Sequence, residues 1–520
     1  MIKEMEKALK RYLKGKNRIT TGVVVAFLLG SSFAFGDVTI KYDTAASTLI
    51  VQDDLGTNIG TVTKNPAGEF TWTLPEGANI TETVKIDDTV NTNNIKVNIV
   101  NSGTISSSGT TGKSGNGLFS YSDTSSSIIG NITNSGNISG NSTGGDSSGN
   151  GIYACSDSYI SISSSIIGNI TNSGIISGST TGSGNDSGNG IYSSSVNGDS
   201  TIGDITNSGI ISGNGDASTS GNGIYSSSYS FDSYPESEIG NITNYGIISG
   251  SNSGRYNGNG IYSYSSTTNG STKSKIDNIT NYGIISGNNS SSAGHGIYLR
   301  SISGLAIIES ISNYGVIMGS QNGIYVDGDS RSSSSSSSGI TNYNNYGLVI
   351  GRTPVFVDKD GSGPNTFSDP EGQGMAITLE SDGSIKTNGI TSGTGGSTGI
   401  YSIVNTQLRD NLGSAVSSGA VDSYDVYTSD QSISDTIING TGAKLTNGTV
   451  TINAGNFSLT NGIINAYKTA VTVNAGASFT GTDVTINGGG LDRTAPVISG
   501  DSGANTVNIS GNSFINGKVD

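Results

Sequence analysis

At residues 170–192 the chain reads ITNSGIISGSTTGSGNDSGNGIY. The centre of that phrase, N-[SY]-G, returns with its asparagine at Asn101, Asn134, Asn172, Asn207, Asn244, Asn281, Asn313 and Asn345. Successive copies lie 33, 38, 35, 37, 37, 32 and 32 residues apart. Self-similarity at such a period marks one supersecondary unit per copy, stacked into a solenoid whose units bury their apolar sides only against neighbours.

Aligning the copies exposes three apolar columns. Two residues before the asparagine stand Ile99, Ile132, Ile170, Ile205, Ile242, Ile279 and Ile311. Two residues after the glycine stand Ile105, Ile138, Ile176, Ile211, Ile248, Ile285, Ile317 and Val349. The phrase G-[IL]-[YF] supplies Leu118, Ile152, Ile191, Ile224, Ile261, Ile297 and Ile324. Single β-branched residues flanked by Gly and Asn suit short strands with one inward point each. The fold class is therefore all-β: a right-handed parallel β-helix with repeats of about 35 residues. Three short strands per copy give one coil; two thinner coils per copy is the alternative reading. Coils ~4.8 Å apart would make the eight copies a rod section of ~40 Å.

The asparagine column is expected to donate and accept along the stack, and the glycine two residues on to permit φ > 0 in the bend. In the copy NYGVIMGSQNGIYV only Ser320 and Gln321 separate the two strand phrases, whereas others hold GNNSSSA or GNSTGGDSS there. Those Ser/Gly/Asn stretches read as loops of variable length at one corner of the coil.

The composition agrees with a thin polar rod: 79 Gly, 32% hydrophobic and only 12% charged residues among 520. Residues 1–36 read as an extended signal peptide. Seven Lys and Arg precede GVVVAFLLG, an apolar run too short to span a bilayer, and Ala34-Phe35-Gly36 offers a cleavage site before Asp37. Residues 37–100, with the single Trp72, read as an N-terminal cap and first coils. Residues 101–350 hold the repeats, 351–420 an irregular insertion, and 421–520 further coils with a different phrase, such as KLTNGTVTINAGNFSLTNGIINA. The pattern is still running at Asp520, which reads as a truncated array with an uncapped, sticky edge.

Without residues 1–36 the chain carries 18 Lys and Arg against 38 Asp and Glu, a net charge of −20. Such a surface repels nucleic acid, which is therefore not an expected partner. Cys155 is the only cysteine, so no intramolecular disulfide can form, which suits a chain threaded unfolded through a second membrane.

The basic segment ahead of GVVVAFLLGSSFAFG, together with the I-T-N-[SY]-G-x-I-x-G phrases, resembles the passengers of type V autotransporters. The resemblance covers the whole chain. It implies export to the cell surface of a Gram-negative bacterium, and an outer-membrane β-barrel translocator as partner, for which these 520 residues contain no run of ten-residue alternating strands. It implies an adhesin or aggregation stalk meeting a protein or glycan on a host or neighbouring cell. The Asn-Pro-Asn motif of two-partner exoproteins is not found.

Chemistry-bearing candidates are few. The single histidine, His295, replaces the Asn of N-G-I-Y and reads as a turn variant. No cofactor is expected, with calcium the one metal to weigh. In DKDGSGPNTFSD, Asp358, Asp360, Ser362, Gly363 and Asp369 fall at positions 1, 3, 5, 6 and 12 of a calcium loop, though Pro364 and the closing Asp depart from it. An acidic surface turn explains the same residues. Arg300 and Asp327 each follow the Gly of a G-I-Y phrase by four residues, with Asp329 nearby. They would stack as neighbours, as a salt bridge or as the acids and bases of a glycan-degrading β-helix. No other carboxylates form a column, and the primary expectation is no enzyme. Finally, Tyr153, Tyr192, Tyr225, Tyr262, Tyr298 and Tyr325 follow inward isoleucines, so alternation points them outward as an aromatic ladder, which either stacks on sugar rings or proline-rich protein or, as the more usual reading, simply stabilises the stack of strands. Tyr245, Tyr282, Tyr314 and Tyr346 add a second stripe.

Overall fold

In the computed structural model the residues described run from 37 to 520, with the exception of 111–112, 159–161, 183, 217–220, 232–233, 255–256, 291–293, 330–337, 359–373, 380–389, 392–401, 405–406, 410–420, 423–424 and 444–446. The signal-like segment 1–36 lies outside them.

The chain is a parallel β-helix built on three long sheets. A coil starts on what we term the threonine sheet (Ile170–Asn172), turns onto the glycine sheet (Ile175–Thr180), then onto the tyrosine sheet (Ile191–Val196), and returns through Ser200–Ile202. Each N-[SY]-G copy pairs in register with the next, Asn134 with Asn172 and Asn172 with Asn207, so one copy makes one coil. The thinner-coil alternative falls.

The three isoleucine columns are fully buried down the interior, as at Ile170, Ile176 and Ile191. A fourth column, Ile129, Ile167, Ile202, Ile239, Ile276 and Ile308, is buried beside them. At ~1.5–3 kcal/mol per buried side chain, these ladders supply most of what holds one coil to another. The coil interior also carries hydroxyls. Ser165 lies 2.9 Å from Ser193, Ser200 3.0 Å from Ser193 and 2.9 Å from Ser226, a chain of buried serines that satisfy one another.

Two antiparallel hairpins close the N-terminal end, Val38–Asp43 with Thr48–Asp53 and Thr61–Lys64 with Phe70–Leu74. Trp72 is buried there and donates from Nε1 to the Ile59 carbonyl at 2.8 Å. A one-turn helix, Asp88–Thr92, is capped by Asp87, whose carboxylate accepts from the Thr89 amide at 3.0 Å. Among the described residues no helix is long and apolar enough to cross a membrane.

Residues 425–520 form a second, slimmer solenoid with three short sheets of its own. Its core is separate and includes Phe457, Phe479, Val471 and Ile486. It does not extend the first rod. It lies beside it and runs the other way: Asn439, Asn465, Asn487 and Asn516 donate to the carbonyls of Tyr346, Tyr314, Tyr282 and Tyr245 in turn. Ascending coils of one solenoid thus meet descending coils of the other. Ile284, Val316, Met318, Leu348 and Ile350 of the first pack with Tyr467 of the second in an apolar seam.

Candidate functional site

The corner asparagines build the first candidate feature. Asn172 donates from Nδ2 to Asn207 Oδ1 at 2.8 Å, to the Gly174 carbonyl at 3.1 Å and to the Ile210 carbonyl at 3.1 Å. The same pattern runs from Asn101 to Asn313, and Asn345 accepts at the end. Asn101 Oδ1 has no partner, because Leu74 fills that column in the preceding coil. The glycines of the phrase are not in the left-handed region that the sequence suggested. A Cβ on Gly136, Gly174 or Gly209 would instead collide with the carbonyl of the equivalent glycine one coil earlier. Close approach demands glycine here. Left-handed backbone falls at Gly149 (φ 67°) and Gly188 (φ 65°), just before a second asparagine column.

That second column, Asn116, Asn150, Asn189, Asn222 and Asn259, is buried, and each Oδ1 accepts from the next coil's backbone amide. His295 continues it only through its backbone, which donates to Asn259 Oδ1 at 2.9 Å. Its ring packs between Tyr298 and Tyr325, Nδ1 has no partner, and burial pushes its pKa down to about 3. This is a turn residue in an apolar slot.

The aromatic ladder exists but is not an exposed platform. Phe119, Tyr153 and Tyr192 stack with centroids 5.2 and 5.0 Å apart, and Tyr225, Tyr262 and Tyr298 stack at 4.8 and 4.6 Å. Tyr153, Tyr192, Tyr225 and Tyr262 are only 1, 3, 5 and 7% exposed; Tyr298 and Tyr325 are half-buried. The rings do point out of the coil interior, as alternation requires. The corner segments then fold back across them: Ser147 bonds the Tyr153 hydroxyl, and Asp186 lies by Tyr192 and Tyr225. Those segments are themselves laddered, Ser147 donating to the Asn185 carbonyl at 2.8 Å and Gly188 to the Ser148 carbonyl at 2.9 Å. Burial raises the four phenols well above their ordinary pKa. Cys155, in the same layer, is pushed up to about 12 by burial and is unreactive as a thiolate.

The second stripe is a docking surface. Tyr245, Tyr282, Tyr314 and Tyr346 stack at 4.9, 4.9 and 5.0 Å along the seam, and Phe514 of the second solenoid stacks on Tyr245 at 5.6 Å. The copies with Ser at this position, Ser102, Ser135, Ser173 and Ser208, belong to coils beyond the reach of the Asn516 contact.

Arg300 and Asp327 do meet, Nε to Oδ2 at 3.2 Å, on paired strands. Asp358 is the register partner of Asp327 on the next strand. Nothing is described of the side chains of Asp329 and Asp358. Of the calcium-loop residues, Asp360, Ser362, Gly363 and Asp369 lie outside the described residues; among those described, no group of three His, Cys, Asp or Glu is placed to hold a metal.

Sequence reasoning missed the aromatics that do reach solvent. Tyr229, Phe231 and Tyr234 are 36, 44 and 74% exposed at the corner between the tyrosine and threonine sheets. They break the repeat phrase instead of following it, so alignment of copies passes over them. The chain matches no known protein family, no curated protein and no solved structure.

Proposed function

We propose that this chain is an autotransporter-type passenger: a non-enzymatic β-helical stalk exported to the bacterial surface, where it mediates adhesion or aggregation. One observation carries the reading: a rod of in-register coils buttressed along its side by a second solenoid, as at Asn465 and Tyr314. A stiff element that repeats the same corner at every coil suits avid attachment through many weak contacts. The basic leader at 1–36, the single Cys155 and the acidic charge support passage through two membranes and life on a solvated surface. A host or neighbouring-cell protein or glycan would be the partner, with a β-barrel translocator for export. Calcium is the metal proposed for Asp358, Asp360, Ser362 and Asp369.

The rival reading is a glycan-degrading β-helix using Arg300, Asp327 and Asp329. The 3.2 Å ion pair between Arg300 and Asp327 satisfies both groups and argues for a lateral brace. The test is attachment of beads carrying the chain at graded density to epithelial and bacterial cells, with polysaccharide cleavage assayed in parallel. Adhesion rising steeply with density and no cleavage is the expected result. Cleavage abolished by Asp327→Asn would overturn the reading, as would absence of adhesion at every density.

A further inference from the structure

We infer that Tyr229, Phe231 and Tyr234 form a stacking platform for a neutral pyranose ring, the point where this rod contacts a glycan. The inference deepens the adhesive reading and rests on it for biological meaning, though not for its chemistry.

Three observations carry it. The first is that solvent-facing aromatic surface is scarce on this rod. The ladder from Tyr153 to Tyr262 lies under the corner segments, and the stripe from Tyr245 to Tyr346 is half-buried along the seam, where its carbonyls accept from the second solenoid. The outward row of strand Ile224–Ser230 runs from buried Tyr225 through Ser227 (9% exposed) to Tyr229 and then Phe231, so aromatic surface surfaces where the covering stops. Among the described residues Tyr229, Phe231 and Tyr234 are the aromatics that reach solvent most fully, and exposed apolar side chains so close along the chain mark an interaction site.

The second is rigidity. The Tyr229 carbonyl accepts from the Asn197 amide at 2.7 Å on one side, and Tyr229 sits in register with Ser266 on the other. Phe231 donates to Asn197 Oδ1 at 3.3 Å and accepts from the Asn269 amide at 3.1 Å. Tyr234 precedes Pro235, which is buried and accepts from the Lys273 amide at 3.3 Å. Neighbouring coils therefore hold Tyr229, Phe231 and the residue that follows Tyr234. The Tyr229 and Phe231 rings meet edge to face, 5.0 Å apart at 85°, so one ring's face and another's edge form a fixed corner. Little ordering entropy remains to be lost on binding.

The third is the polar rim. Thr268 lies 3.5 Å from the Tyr229 hydroxyl; Asp199 accepts from the Glu236 amide at 3.0 Å; Lys273 pairs with Glu236 at 3.7 Å with both partly exposed. An apolar centre rimmed by hydroxyl, carboxylate and ammonium groups matches a sugar, whose C–H face is apolar and whose equatorial hydroxyls point outward. A net charge of −20 on residues 37–520 selects against acidic sugars. A proline-rich peptide would use the rings but leave the rim without partners.

The test is saturation-transfer NMR and titration calorimetry of residues 37–520 with cello-, malto- and chitotetraose. Transfer to ring protons of at least one tetrasaccharide is expected, with affinity falling roughly tenfold or more in Tyr229→Ala/Phe231→Ala/Tyr234→Ala. Tyr234→Ala alone, at the most exposed position, gives a partial loss and guards against misfolding of the triple variant; Tyr225→Phe, in the covered ladder, leaves binding unchanged. Binding of no tetrasaccharide overturns the proposal, as does binding insensitive to these variants, or binding of a polyproline peptide alone. If beads carrying the triple variant adhere as well as the intact chain, the platform falls and the stalk stands; if the intact chain adheres to nothing, the stalk reading falls.

Discussion

The Asn465 amide donates to the Tyr314 carbonyl at 2.7 Å across 151 residues of sequence. The equivalent bonds from Asn439 and Asn487 span 93 and 205 residues, and that from Asn516 spans 271. The separation grows at every step because the two solenoids run in opposite directions, coil against coil. The same asparagines also bond one another along the second solenoid, Asn487 to Asn465 at 2.8 Å. One side chain thus serves the ladder within a solenoid and the seam between two.

Replacing Tyr245 by Ser restores the residue that earlier copies carry, so the coil itself should tolerate it. The seam should not. Phe514 of the second solenoid stacks on Tyr245 at 5.6 Å, and one such pair at ~0.5–1.5 kcal/mol predicts a loss of about 1 kcal/mol in docking. Hydrogen exchange should quicken across 425–520 and stay unchanged around Ile132–Ile205. Equal quickening in both regions would contradict the separation of the two cores.

Position within the asparagine column sets a second expectation. Asn172→Ala leaves Asn207 Oδ1 without its donor and takes from Asn134 Nδ2 one of its three acceptors, since each bonds Asn172 at 2.8 Å. Asn101→Ala likewise leaves Asn134 Oδ1 without its donor, but it removes a buried Oδ1 that had no partner to lose. At ~1–3 kcal/mol per buried unsatisfied group, the central substitution should cost more by about 1 kcal/mol or above in chemical denaturation. Equal costs would mean the ladder bonds contribute little.

These features differ in how far the sequence revealed them. The isoleucine columns at Ile170, Ile176 and Ile191 were legible because a coil repeats its own neighbours, so periodicity is contact. The exposure of Tyr153 was misread because alternation gives direction but not what lies above a ring. Serines such as Ser193 and Ser226 look like loop filler by type; their burial depends on pairing across coils. The seam has partners too far apart for any local rule. Its trace was the switch from Ser208 to Tyr245 in the repeat phrase, a change with no reason inside a single solenoid. Tyr229, Phe231 and Tyr234 carry no periodicity, and only their exposure singles them out.

His295 makes stability depend on pH. Burial lowers its folded pKa to about 3, below the ordinary value of 6.5. The unfolded chain therefore binds this proton first as pH falls, so the stabilisation is complete above 6.5 and is lost between 6.5 and 3. A few kcal/mol at most is at stake, at ~1.4 kcal/mol per pH unit. His295→Asn, which returns the residue of Asn259 to the column, should flatten the melting temperature over that range. An unchanged acid slope would place the sensitivity elsewhere.

Cys155 reports on opening of the tyrosine sheet. With its pKa raised to about 12 and its side chain under the corner segments, it should resist maleimide at neutral pH in the folded rod. Labelling should appear only as denaturant opens the coils, in step with loss of β-structure. Rapid labelling of the native chain would show that the layer over Tyr153 and Cys155 is not closed.

The antiparallel doubling of the rod is tested most directly by electron-electron spin distance between labels at Thr243→Cys and Asn512→Cys in a Cys155→Ser background. Contact of the Tyr245 and Asn516 coils predicts a single short distance, under about 25 Å including the label arms. Coils stacked head to tail in one continuous rod would place the labels beyond ~35 Å, the axial span of seven or more coils at ~4.8 Å each, and would contradict the account.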